Sequence, residues 1–241
     1  MAELMHALTI ARAQGCEAKI SNDQLPQDVS NAYAQLLPGA TGAVAWKIGG
    51  ANPWSRAVFN NTEVFFGPLM PSELLVETAE LSLEGLHDPL AEPEVMLQLG
   101  LPDASRPEQL FGKMGLGFEI PASVLPPDAK STLTGQIIDR AGAGALWVGA
   151  VQPFAADQIL TPFSSQFYHN TSGPIVGSSS NITGGILGVA MEFIKLAQAH
   201  GYALRSGQWI ATGGLSPAVS VSPGDRLAFS ALGNTVELKL I

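Results

Sequence analysis

Cysteine, positive charge and long apolar runs are all scarce in this chain. Its single cysteine, Cys16, excludes an internal disulfide framework. The first residues lack the basic stretch and apolar core of a secretory signal, which makes the cytoplasm the expected compartment. No apolar run approaches the length needed to cross a bilayer. Charged residues make up only 14% of the 241, and 12 Lys and Arg face 21 Asp and Glu, for a net charge of −9. Such a surface repels nucleic acid and anionic membranes, so neither is expected as a partner, although a small anionic substrate held through a metal is still allowed. The four histidines show no zinc-ligand spacing, and the Gly-rich stretch 140–144 lacks both the phosphate cradle of a P-loop and the third glycine of a dinucleotide site.

What is present suits extensive burial: 46% of the residues are hydrophobic, enough for one large domain or two small ones and for a subunit interface. Leu4, Leu8 and Ala11 share a face over residues 2–14, which predicts a helix stopped by Gly15. A second helix is predicted over 27–36, ahead of Pro38-Gly39, and the clearest one over 184–200, stopped by Gly201. Apolar runs with turn punctuation predict strands over 44–48, 64–66, 92–99, 115–120, 134–140, 145–152, 209–211, 226–230 and 235–241. No internal repeat or long low-complexity linker interrupts them. The reading is a strand-rich α+β chain with an N-terminal helical segment.

Against that scarcity of charge, Glu92-Pro93-Glu94 stands out on an apolar strand. Side chains alternate along a strand, so an E-x-E spacing brings both carboxylates to one side. Two like charges buried together need something positive between them, and oxygen-only ligands favour a hard divalent cation, Mg²⁺ or Mn²⁺. Solvated acids on a water-facing strand are the competing reading. Lys47 interrupts the run Ala43-Val44-Ala45-Trp46-Lys47-Ile48, where an ammonium either finds a charged partner or snorkels to the surface. Asp139 ends an apolar stretch and opens the Gly-rich turn; a turn-forming or capping aspartate and a functional one are both open readings. His87, close before Glu92, reads as a surface-loop histidine or as a base beside the site.

Taken in order, Trp46-Lys47-Ile48-Gly49, Phe65-Phe66-Gly67-Pro68-Leu69, Glu92-Pro93-Glu94-Val95, Phe118-Glu119-Ile120 and Ile138-Asp139-Arg140-Ala141-Gly142-Ala143-Gly144 form a recognisable succession. So does the tail of Gly201, Gly207, Ile210, Thr212-Gly213, Val221 and Pro223-Gly224-Asp225. The chain resembles the 2-oxopent-4-enoate hydratases and 4-oxalocrotonate decarboxylases of the fumarylacetoacetate hydrolase superfamily. The resemblance implies a mixed β-roll with flanking helices, assembled as a homo-oligomer. Residues 1–70 would supply the N-terminal helical segment and first strands packed on a β-roll catalytic domain over 71–241. It also implies a divalent metal held by Glu92, Glu94 and Glu119, with Lys47 and Asp139 as catalytic candidates. Phe66, Thr212, Gly213 and Ser216 would bind substrate.

The implied activity is addition of water to a 2-hydroxy-2,4-dienoate to give a 4-hydroxy-2-oxo acid. Decarboxylation of a 2-oxo-enedioate draws on the same electron sink, and hydrolysis of an acylpyruvate-type diketone is a third chemistry for the scaffold. A non-catalytic subunit of the same fold is the alternative outside enzymology. Gly50 and Gly214 stand where hydroxyl side chains are usual in the family, which implies an altered substrate or, in the extreme, a member that binds without turning over.

Overall fold

The computed structural model describes residues 2–241. Its strands are β1 (Ala45–Gly49), β2 (Phe65–Leu69), β3 (Leu74–Val76), β4 (Glu80–Leu81), β5 (Leu90–Leu99), β6 (Phe111–Pro121), β7 (Ala143–Pro153), β8 (Ser164–His169), β9 (Ile175–Ser178), β10 (Trp209–Ala211), β11 (Val219–Ser220), β12 (Arg226–Ala231) and β13 (Asn234–Leu240). The helices are α1 (Ala2–Gln14), α2 (Val29–Leu36), α3 (Pro53–Val58), α4 (Pro107–Leu110), α5 (Pro127–Lys130), α6 (Leu133–Ile138), α7 (Asp157–Leu160) and α8 (Gly185–Ala199). One mixed sheet runs β2-β1-β10-β5-β6-β7-β3 with β11 added to β5, and a second runs β4-β13-β12-β8-β9. The result is the expected α+β architecture, a mixed β-roll with flanking helices.

Strand alternation divides the larger sheet into two chemically different faces. On one, Trp46, Ile48, Phe66, Val95, Leu97, Leu99, Leu116 and Phe118 join the main core, which α8 supplies with Ile186, Val189, Ala190 and Phe193. Phe118 reaches the second sheet, its ring centre 5.6 Å from that of Phe167 and 6.1 Å from that of Phe229. The other face carries a smaller cluster that includes Ala45, Met96, Leu146, Val148, Trp209 and Ala211. Lys47, Glu92, Glu94 and Glu119 belong to this second face by their strand positions. The same face holds Gly67, whose missing Cβ admits the backbone of the 140–142 turn: a methyl there would lie 1.8 Å from the Arg140 carbonyl oxygen.

The larger sheet runs across the expected division at residue 70, because β1 pairs with β10 and β2 with β1. The segment 134–140, expected as a strand, is instead α6. Thr132 caps it, its hydroxyl accepting from the Gly135 N–H at 3.0 Å, and this cap together with burial of Ile137 and Ile138 overrides the β preference of the paired isoleucines. Strands β8 and β9 carry too few apolar residues for any expectation of strand there. By length and composition alone, Ser179–Ala199 could span a membrane. In the fold, its apolar stripe packs into the main core.

Helix α1 rests on a separate small core of Leu4, Leu8, Ala11, Ala18, Val124, Leu125, Ala129 and Ile138. Arg12 fastens it: the guanidinium lies 2.5 Å from Asp139 Oδ1 and donates to the Ala143 carbonyl at 2.6 Å. Ser123 Oγ donates to the other Asp139 oxygen at 2.8 Å. The Asp139 side chain is fully buried, so deleting its cation strands a charge in the interior. Arg12→Met should therefore lower stability by about 3 kcal/mol in urea unfolding. The double variant with Asp139→Asn should recover part of that loss; no recovery would show that the ion pair is not what anchors α1.

Candidate metal centre

Glu92 and Glu119 face each other directly across the β5/β6 pair, and Glu94 sits two residues further along β5 on the same side. One carboxylate oxygen from each lies within 4.8 Å of the other two. Glu94 and Glu119 are buried and Glu92 is partly exposed, so the group opens to solvent on the Glu92 side. Lys47 projects from β1 into the same space, its Nζ 2.9 Å from Glu119 Oε2. That contact is a buried ion pair, and the other Glu119 oxygen, Oε1, is buried without a hydrogen-bond partner. Glu94 Oε2 accepts the Gly213 N–H at 2.6 Å.

Burial raises the pKa of Glu94 well above the carboxylate range, and repulsion from Glu92 and Glu119 adds to it, opposed by the Gly213 N–H and Lys47. Burial also pushes Glu119 up to about 8, against the pull of Lys47. For Lys47, burial alone would lower the pKa, but Glu119, Glu92 and Glu94 together outweigh it, and the ammonium is held above its ordinary value. Among the described residues, Lys47 is the one cation acting on both Glu94 and Glu119. Three carboxylates against one ammonium leave the site short of positive charge. Its donors are all oxygens, and buried Glu119 Oε1 has no partner, so the residues present fit a hard divalent cation.

The other residues singled out from the sequence divide. Gly213 is in the site through its N–H. Thr212 lies beside it, but its hydroxyl donates to the Val95 carbonyl at 2.8 Å and so secures the loop to β5. Ser216 Oγ is buried and has no hydrogen-bond partner. Phe66 is a correction: its position pairs with Ile48 and points to the opposite face from Lys47, where its ring stacks on Tyr33 at 4.5 Å. Asp139 is a second correction. It closes α6 rather than a strand, and its carboxylate is engaged by Arg12, Ser123 and the Val124 N–H instead of joining the acids. His87 faces Asp88 at 3.6 Å in a surface groove.

Two residues near the site gave no signal in the sequence. The Asn52 carboxamide donates to the Asn181 carbonyl at 2.9 Å and to the Gly214 carbonyl at 3.1 Å. Asn181 Nδ2 in turn donates to the Leu215 carbonyl at 2.8 Å. Isolated asparagines in loops read as turn formers, and only the three-dimensional approach of three loops gives them another role.

No protein-family model matches the chain, and no curated protein matches it either. Solved structures do. 4-Oxalocrotonate decarboxylase from Pseudomonas putida G7, complexed with magnesium and adipate, superimposes with a TM-score of 0.84 over 99% of this chain and 96% of that one, at 17% identity. Fumarylpyruvate hydrolase from Pseudomonas aeruginosa, in complex with Mn²⁺ and pyruvate, gives 0.59 over 82% of this chain and 88% of that one, at 14% identity. A 5-carboxymethyl-2-hydroxymuconate delta-isomerase from Mycobacterium smegmatis gives 0.59 over 83% and 78%, at 14% identity. The chain shares its fold with these proteins.

The raised carboxyl pKa values set a pH dependence. An unfolded glutamate loses its proton near pH 4.5, whereas Glu119 keeps its proton to about 8, so the folded state binds more protons across that window and stability falls as pH rises through it. The melting temperature of the metal-free protein should therefore drop between pH 5 and pH 8. Mg²⁺ should raise it more at pH 8, where it no longer competes with protons. A metal-induced shift of equal size at both pH values would contradict the assignment of the acids as ligands.

Proposed function

We propose that the chain is a divalent-metal-dependent hydratase that adds water to a 2-hydroxy-2,4-dienoate to give a 4-hydroxy-2-oxo acid. The observation that carries this reading is the convergence of Glu92, Glu94 and Glu119 beside Lys47. The three carboxylates would hold Mg²⁺ or Mn²⁺. When bound, such an ion neutralises the acids and withdraws electron density from the C1 carboxylate and C2 oxygen of a 2-oxo acid. The protein's own groups then have distinct tasks. The Lys47 ammonium offsets negative charge that develops on the substrate's C1–C2 end and serves as the nearest proton carrier. Ser216 Oγ, buried and unpartnered, offers a hydrogen bond to a bound oxygen. Gly213 holds Glu94 in place.

With 2-hydroxypenta-2,4-dienoate the proton balance is simple. The C2 hydroxyl proton is lost and a proton is gained at C5, which gives 2-oxopent-3-enoate. Water then adds across C3 and C4, its oxygen to C4 and a proton to C3, to give 4-hydroxy-2-oxopentanoate. A substrate with one carboxylate suits the charge count, since Lys47 is the one cation acting on the buried acids. Arg56, six residues from Gly50, is already engaged by Glu192 at 2.9 Å and by the Gly50 carbonyl at 2.8 Å.

Decarboxylation of a 2-oxo-enedioate is the second reading. It is favoured by the 0.84 TM-score to 4-oxalocrotonate decarboxylase and passes through the same stabilised dienolate. Supplying each substrate to the Mg²⁺- or Mn²⁺-loaded protein separates the two. Loss of dienoate absorbance without CO₂ is the expected result, whereas CO₂ release from the enedioate with no turnover of the dienoate would replace hydratase by decarboxylase.

Two variants test the assignment of roles. Glu94→Gln should weaken Mn²⁺ binding by at least about 100-fold in calorimetric titration and abolish turnover, with circular dichroism unchanged. Wild-type affinity in that variant would remove Glu94 from the ligand set. Lys47→Met should keep the metal but lower kcat by about 10²- to 10⁴-fold, and unchanged kinetics would return the lysine to a packing role.

A further inference from the structure

Asn52 occupies the N-cap position of α3, where an asparagine side chain ordinarily accepts the first free N–H groups of the helix, yet it makes no such bond. Its carboxamide instead turns inward, almost wholly buried, and bridges two carbonyls of different loops, those of Asn181 and Gly214. The neighbouring contacts reinforce the bridge. The Ala51 carbonyl accepts the Thr183 N–H at 2.9 Å, and the Leu215 N–H donates to the Pro93 carbonyl at 3.0 Å, between Glu92 and Glu94. Gly213 has a φ of +106°, and a Cβ on it would lie 2.3 Å from that of Ala51, so the loop after β1 is pressed directly against the peptide whose N–H holds Glu94.

We infer that Asn52 is a positioning residue for the metal centre, acting through the Gly213–Gly214 peptides on Glu94. The inference rests on the metal-binding reading above and adds to it a residue outside the ligand set. The physical case is one of direction. A carboxylate ligand needs its rotamer fixed by an outer hydrogen bond, and that bond is only as well placed as its donor. Here the donor is a glycine N–H in a loop that could otherwise relax, with Gly50 and Gly214 supplying no side chain to brace it. The Asn52 carboxamide has two N–H donors in fixed geometry and satisfies two buried carbonyls at once, which ties the loop after the Lys47 strand to the loop behind Glu94.

The test uses two readouts, Gly213 amide exchange in the metal-free protein by NMR and Mn²⁺ affinity by calorimetry. Wild type, Asn52→Ala, Asn52→Asp and Asn52→Ser are compared with Arg12→Met, a destabilised control remote from the clasp. The Asn52 variants should weaken Mn²⁺ binding by about 10- to 100-fold and speed Gly213 exchange by about tenfold or more. The aspartate variant is nearly isosteric but presents an oxygen to two carbonyls, and the serine variant cannot span both; either serves if the alanine variant does not fold. Arg12→Met should leave Mn²⁺ affinity unchanged, and any rise in its Gly213 exchange should be no larger than that of amides remote from the clasp. Wild-type Mn²⁺ affinity and wild-type Gly213 exchange in the folded Asn52 variants would overturn the proposal while leaving the metal centre standing. Failure of the wild-type protein to bind Mn²⁺ would overturn the metal reading itself and, with it, this role for Asn52.

Discussion

Mutual repulsion among three carboxylates is the constraint around which this face of the sheet is organised. Glu92 and Glu119 are direct cross-strand partners, and like charges in that position destabilise a strand pair. Glu94 and Glu119 also lose most of their hydration. The compensation visible in the protein is modest: one ammonium at 2.9 Å and one backbone N–H at 2.6 Å. Both buried glutamates are displaced upward in pKa, burial being the largest cause, with carboxylate repulsion adding to it.

The rest of the fold reads as support for that arrangement. The opposite face of the same sheet is packed with aromatic and branched side chains, so the strands bearing the acids are held rigid from behind. The Trp46, Phe66, Phe193 and Tyr202 rings meet edge to face there. On the acid face, bulk is withheld instead, and Gly67 lets a neighbouring turn approach beside Lys47. The left-handed residues of that turn, Arg140, Ala141 and Gly142, are flanked by Asp139 and Ala143, both bound by Arg12, and Arg140 itself makes a two-pronged contact with Glu73 at 2.8 and 3.1 Å. A strained turn of this kind persists only where its surroundings over-determine it.

How much was legible beforehand follows from the range of the forces involved. Strands β1, β2, β5, β6, β7, β10, β12 and β13 and helices α1, α2 and α8 follow from apolar periodicity and its punctuation, because their burial is decided within each segment. The E-x-E pair was visible for the same reason, since alternation is a local property. The segment containing Ile137 and Ile138 has the apolar pattern of a strand, but the satisfied Thr132 cap makes it a helix, and Asp139 ends that helix with Arg12, 127 residues away, as its partner. The family motif points Phe66 toward the substrate, whereas its strand parity puts it on the other face.

By itself, the sequence determined the alternation of apolar and polar positions, the adjacency of Glu92 and Glu94 and the placement of a lone lysine in an apolar strand, because each depends only on the geometry of neighbouring residues. Only the tertiary structure decided that Glu119 lies opposite Glu92, that Lys47 reaches Glu119, and that Asn52 and Gly213 brace the site. These depend on strand register and on the meeting of loops distant in sequence, and those are set by the packing of the whole core rather than by any single segment.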